Sequence, residues 1–349
     1  MPNSDAPHVL GPIFPLRDAW LPVLPVLPLV LSALLFSWLI DPAEKLAFLN
    51  FDSSRFVAPP QREYIHLGDM LAYYSLGAFH SLLCLAVITT FALWIRRLPA
   101  RQALAGMTFL AAVFLLVVAI SLFFHEEANR QVLTQLGFKA ICQVIAAAEL
   151  PTRLALPGQC FAEDNTSRLT ILAWIPTFSG MGAVAFAAAF AYANTRALTQ
   201  KRSKDESAWR ESLDQRIKAL QRSVYLLSAV LVSSTVTITL FTHLPTGLVT
   251  DKPDLELATA LSKYATGLST FWGALFSITL IASFAVPALR LLNQAYGVAG
   301  DAPDSAELRQ WLREHVFQSL RRQLATVLSL LAPLLVGPLS SLLSSFSGL

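Results

Sequence analysis

Four serines near the carboxy-terminal end, Ser340, Ser341, Ser344 and Ser345, alternate with Leu339, Leu342, Leu343 and Phe346 at the i, i+3, i+4, i+7 spacing of a helix face. A neutral helix with hydroxyls on one side and hydrocarbon on the other can line a wet passage when copies assemble, or lie flat in a bilayer interface. Thr235, Thr239 and Thr242, with Ser228 farther back, repeat the theme. The four serines and three threonines are the pore-lining candidates. Bonding to their own backbone or to a neighbouring helix is the competing role for such hydroxyls.

Titratable groups point elsewhere. Coupled carriers and proton pumps keep charged or titratable side chains at membrane depth, and here His80 is the only ionisable group well inside an apolar run. His66, Asp69, His125, Glu126, Glu127 and His243 fall at run ends that share one predicted outer face. Imidazole and carboxylate suit zinc, copper or iron, but no pair has the close spacing of a metal motif, so neither a metal nor another cofactor is expected. Cys142 and Cys160 lie in the same outer segment, 125–168, and form the disulfide candidate, whose closure would add about 3 kcal/mol. Catalytic signatures are missing: Ser179-Gly180-Met181-Gly182 is not a nucleophile elbow, and no phosphate-binding loop occurs. Ser179 begins instead a small residue at every fourth position, with Ala183, Ala187 and Ala191, a ladder that lets helices approach closely. The chain is expected not to be an enzyme.

The elements that must position these residues are seven uncharged runs, Ala19 to Ile40, Met70 to Ile95, Gln102 to Phe124, Leu169 to Thr195, Ser223 to Thr250, Tyr264 to Leu289 and Gln323 to Leu349. Crossing about 30 Å of hydrocarbon takes roughly 20 helical residues, and every run is that long. With 54% hydrophobic and 14% charged residues, the chain has too little charge to cover a soluble globule of its 349 residues. Pro22, Pro25 and Pro28 recur every third residue, which suggests an extended polyproline entry to a shortened first helix. Pro333, Gly337 and Pro338 interrupt the last run and favour a re-entrant or interfacial segment.

Lysine and arginine set the orientation: with the amino terminus inside, 17 lie on the inner side and 9 on the outer. Trp209, Leu213, Ile217, Leu220 and Val224 form an apolar stripe in 205–222, and Leu308, Trp311, Leu312, Val316 and Leu320 another in 305–322, so both are amphipathic cytoplasmic helices. The expected fold is an all-α polytopic membrane protein forming one membrane domain, 1–349. Its six spans lie at about residues 20–40, 72–95, 103–124, 169–193, 224–243 and 266–289, before a carboxy-terminal hydrophobic segment, 323–349. The expected setting is a bacterial inner or plasma membrane with the amino terminus cytoplasmic. The expected function is a homo-oligomeric channel-like or membrane-permeabilising component, the alternatives being a facilitative small-molecule transporter and a membrane sensor or scaffold. Its partners are the lipid bilayer and a cytoplasmic protein at the basic segments 196–222 and 305–322, with no nucleic acid.

Overall fold

A computed structural model describes residues 18–26, 30, 59–123, 168–196, 206–244, 255–300, 306, 307, 310 and 325–336. Among them there is no strand. The helices are α1 (Pro59–Arg97), α2 (Ala100–Phe123), α3 (Arg168–Thr195), α4 (Glu206–His243), α5 (Leu255–Gly300) and the short α6 (Ala325–Val336). The first five are long and apolar enough to cross a membrane, and α6 is a shorter apolar helix, so the chain is an all-α polytopic membrane protein.

In hydrocarbon every N–H and C=O must be satisfied within the segment, so the apolar runs form unbroken helices. The α1–α2 corner is the exception. Pro99 cannot extend α1 but is well suited to begin the next helix, and its carbonyl accepts from the N–H groups of Gln102 at 2.8 Å and Ala103 at 3.0 Å.

Small residues then set how closely the helices pack. A Cβ on Gly106 of α2 would lie 3.1 Å from Ala193 Cβ on α3, and one on Gly182 of α3 would lie 3.1 Å from Ile88 on α1. Ala183, Ala187 and Ala191 are fully buried, as a ladder for close approach requires. Helix α4 is the enclosed member, packed by α1, α3 and α5. Lipid-facing side chains include Leu71, Phe79, Leu82 and Leu85 of α1 and Leu104, Met107 and Leu115 of α2.

The 38 residues of α4 and 46 of α5 rise to about 57 and 69 Å, far beyond a bilayer core. Residues 206–222 are therefore not a separate surface helix but the lower half of α4. Its stripe of Trp209, Leu213, Leu220 and Val224 joins one apolar core with Leu291 and Ala295 of α5. On the outside of this two-helix stalk, Lys218 and Asp214 pair at 2.6 Å one turn apart.

The proline-rich entry differs from the polyproline expectation. Leu21–Val23 is a 3-10 helix with Pro22 in its first turn, and Leu24 has φ −57° and ψ −49°. Val26 N–H reaches Val23 O at 3.0 Å and Val30 N–H reaches Val26 O at 3.2 Å. The fixed φ of proline suits a helical first turn as well as an extended chain, and burial of Leu21 and Pro22 selects the compact form. Of 305–322, the structure describes only Ala306, Glu307 and Gln310, all exposed.

Candidate functional site

Three polar constructions interrupt the apolar bundle. The first is the seat of α6. Tyr225 Oη lies 3.3 Å from Thr326 Oγ1, and Ser228 Oγ donates to Ser329 O at 2.7 Å. Both pairs are 101 residues apart in sequence, so α6 runs parallel to α4 in constant register. The second bond has a specific cause: Pro333 has no N–H for the carbonyl four residues earlier, which is that of Ser329. Ser228 supplies the missing donor. On the other side, Gly273 of α5 receives the backbone of α6; a Cβ there would collide with Pro333 O and lie 3.0 Å from Leu334 Cα. At about 1.5 Å per residue, the 12 described residues of α6 span about 18 Å.

The threonines read as pore candidates continue this seat. At about 100° per residue, Thr235, Thr239 and Thr242 fall within roughly 40° of Ser228 around α4. All three are buried, and their hydroxyls donate to Leu231 O, Thr235 O and Thr239 O at 2.8–3.0 Å. Seven hydroxyls of α4 are buried, those of Ser223, Ser228, Ser233, Thr235, Thr237, Thr239 and Thr242. Ser228 alone gives its proton to another helix. On α5, Ser269, Ser277, Thr279 and Ser283 are buried as well. Ser340, Ser341, Ser344 and Ser345 lie outside the described residues.

The second construction surrounds His80, which is 1% exposed where α1, α3 and α4 meet. Its Nδ1 is 2.7 Å from Ser233 Oγ on α4, its Nε2 is 3.4 Å from Cys84 Sγ, and Gly180 of α3 leaves room for the ring. Ser233 also lies 2.8 Å from Val230 O. The ring also meets the Pro176 carbonyl of α3, so either tautomer is bonded: Nδ1 donates to or accepts from Ser233 Oγ, and the ring's other nitrogen accepts from the Cys84 thiol or donates to Pro176. The thiol and imidazole have the proximity of a nucleophile and its base, but Cys84 is 0% exposed, and the cluster acts as a lock between helices.

The third construction is a clamp at the end of the bundle where α1 stops and α2 starts. Arg290 Nη2 of α5 donates to Asp18 Oδ1 at 2.8 Å, and Tyr192 Oη of α3 donates to Asp18 Oδ2 at 3.1 Å. Phe109 of α2 stacks on the Tyr192 ring with centroids 4.9 Å apart, and Arg196 lies over the same ring at 5.7 Å. Beside it, Arg216 Nη1 of α4 donates to Asn194 O at 2.6 Å, capping a carbonyl in the last turn of α3, and Asn194 Nδ2 returns a bond to Arg216 O at 3.2 Å. Four segments thus meet through polar side chains at one end of the bundle, and Phe109 of α2 joins them by its ring.

The predicted outer cluster falls only partly within the described residues. Asp69 lies in α1 and His243 ends α4, each half-buried, on helices that meet through the Tyr73 and Phe241 rings, 5.2 Å apart, and among the described residues no three His, Cys, Asp or Glu side chains come together. His66 lies on α1, whereas His125, Glu126 and Glu127, like Cys142 and Cys160, fall outside the described residues. Asp18, Arg290 and Tyr192 were not singled out from sequence; an acid directly before an apolar run was the available signal for the first. Compared with known proteins, the chain matches no family model, no curated protein and no solved structure.

Proposed function

We propose that this multi-pass membrane protein is a channel-like or membrane-permeabilising component that works as an oligomer, without catalysis, and uses α4 as one wall of its passage. The observation that carries this function is the row of buried hydroxyls on the most enclosed helix, over a stretch from Ser223 to Thr242 that holds no charge. A hydroxyl whose proton is held by its own helix keeps oxygen lone pairs available, so it can replace part of a solute's hydration shell while the helix remains satisfied. Ser277 and Ser283 on α5 add two buried hydroxyls that have no hydrogen-bond partner among the described residues. Such a lining suits small neutral solutes or weakly selected ions. The Arg-rich clamp end is assigned to the cytoplasmic side of a bacterial inner or plasma membrane, in keeping with the Lys and Arg balance.

A sensor or scaffold is the second possibility, favoured by the stalk: α4 and α5 continue without a break from the bilayer into a packed two-helix lever. The deciding experiment is solute and ion release from liposomes holding wild-type protein or a Thr235→Val, Thr239→Val, Thr242→Val variant. Valine keeps the shape and removes only the hydroxyls. Release should fall about fivefold or more with unchanged oligomeric state. Release equal to wild type would refute α4 as the wall, and a wild-type protein that releases nothing in any lipid would leave the lever as the function.

A further inference from the structure

We propose that α6 is a resident plug of the α4–α5 groove, and that its withdrawal is the opening step. This deepens the channel-like function and rests on it. The seat is built for a helix of this chain: Gly273 provides a side-chain-free contact for the Pro333 and Leu334 backbone, Ser228 caps the carbonyl that Pro333 leaves unpaired, and Tyr225 meets Thr326 one turn below. The described part of the plug covers α4 from Tyr225 to about the level of Thr235, seven residues beyond Ser228, since it runs to Val336, seven residues beyond Ser329.

Three features make the seat reversible. First, the described residues of α6 cover about 18 Å of the groove, less than the depth of a bilayer core, so the seat to be vacated is short. Second, Val327, Leu328, Leu331 and Leu335 already face outward, and lipid is as good a solvent for the remaining apolar side chains as the groove is. Third, Ser228 has an alternative acceptor. The other buried hydroxyls of α4 bond to carbonyls three or four residues back on the same helix, so Ser228 can turn to the carbonyl of Val224 when Ser329 leaves. Both states then satisfy Ser228, the freed Ser329 carbonyl must reach water or headgroups, and the opened groove presents the oxygens of Ser228 and Thr235.

The experiment combines a structural and a permeability readout in the full chain. Ser228→Cys with Ser329→Cys, in a background with the three native cysteines replaced by serine, is joined by a short thiol-specific cross-linker in liposomes. Gly273→Leu is then added to fill the α5 side of the seat. Joining the pair should lower solute release about tenfold, and reduction should restore it; Gly273→Leu should cut the cross-linking yield and raise release about tenfold. Ser228→Ala, which removes one bond and adds no bulk, should raise release severalfold and guards against misfolding of the leucine variant.

Cross-linking that persists at the same yield with Gly273→Leu overturns the seat. Cross-linking lost while release stays at the wild-type level, in a protein whose release still falls with the threonine-to-valine substitutions, overturns the plug but leaves the channel. A protein that never releases solute, joined or reduced, removes the channel and the plug with it.

Discussion

Asp18→Asn tests the clamp most directly. The substitution keeps the side chain's size and one oxygen for the Tyr192 hydroxyl, but removes the charge that Arg290 meets at 2.8 Å. Breaking a buried ion pair from one side costs about 3–5 kcal/mol, because the surviving charge remains desolvated. The Asp18 side chain is 4% exposed and that of Arg290 29%. The arginine therefore keeps some contact with interfacial water, which places the loss at the low end, about 3 kcal/mol or a hundredfold in the folding equilibrium. Arg290→Met should cost at least as much, since it strands the more deeply buried partner. With both changes present no charge is stranded, and the double variant should recover about 2 kcal/mol of the summed losses. Denaturant-induced unfolding of the full chain in bicelles, followed by tryptophan fluorescence, measures the cycle. If the two losses add to within about 0.5 kcal/mol, Asp18 and Arg290 do not stabilise each other and the clamp is not an energetic unit.

Three further outcomes are expected. A double-mutant cycle on His80→Ala and Ser233→Ala, read by the same unfolding assay, should give a coupling of about 1 kcal/mol, the scale of interhelical hydrogen bonds in bilayers; zero coupling would dissolve the α1–α4 lock. Gly106→Leu should destabilise by about 1–3 kcal/mol, because its side chain must enter a space where a Cβ is already 3.1 Å from Ala193; a neutral effect would mean that α2 and α3 separate freely. Single cysteines introduced near Arg97 and Lys204 should resist an impermeant thiol reagent in intact cells, while one near Asp254 reacts; labelling at 204 from outside would invert the orientation.

The five long apolar helices were legible because crossing hydrocarbon requires an uninterrupted apolar length, a property of consecutive residues. Pro333 marked an interruption of the last run, and His80 stood out as the one ionisable group at depth. Their partners could not be read the same way. Ser233 lies 153 residues from His80, Ser329 lies 101 from Ser228, and Arg290 lies 272 from Asp18. Contacts at these separations depend on which helix faces turn toward each other, and near-uniform apolarity leaves little periodic signal to orient them. The proline triplet misled because one φ angle serves both an extended chain and a tight helical turn.

The separation of Asp18 from Arg290 also has a consequence for biosynthesis. At roughly 5–20 residues per second, a ribosome needs about 15–50 s to make the 272 intervening positions. Throughout that interval Asp18 has no Arg290 to meet, and α1 to α4 enter the bilayer before the clamp exists. Its carboxylate must stay with headgroups or water until α5 is synthesised, so the clamp end cannot close before the first four long helices are made. Nascent chains halted before residue 290 should accordingly keep Asp18 accessible to water at the membrane surface, even with four long helices already inserted.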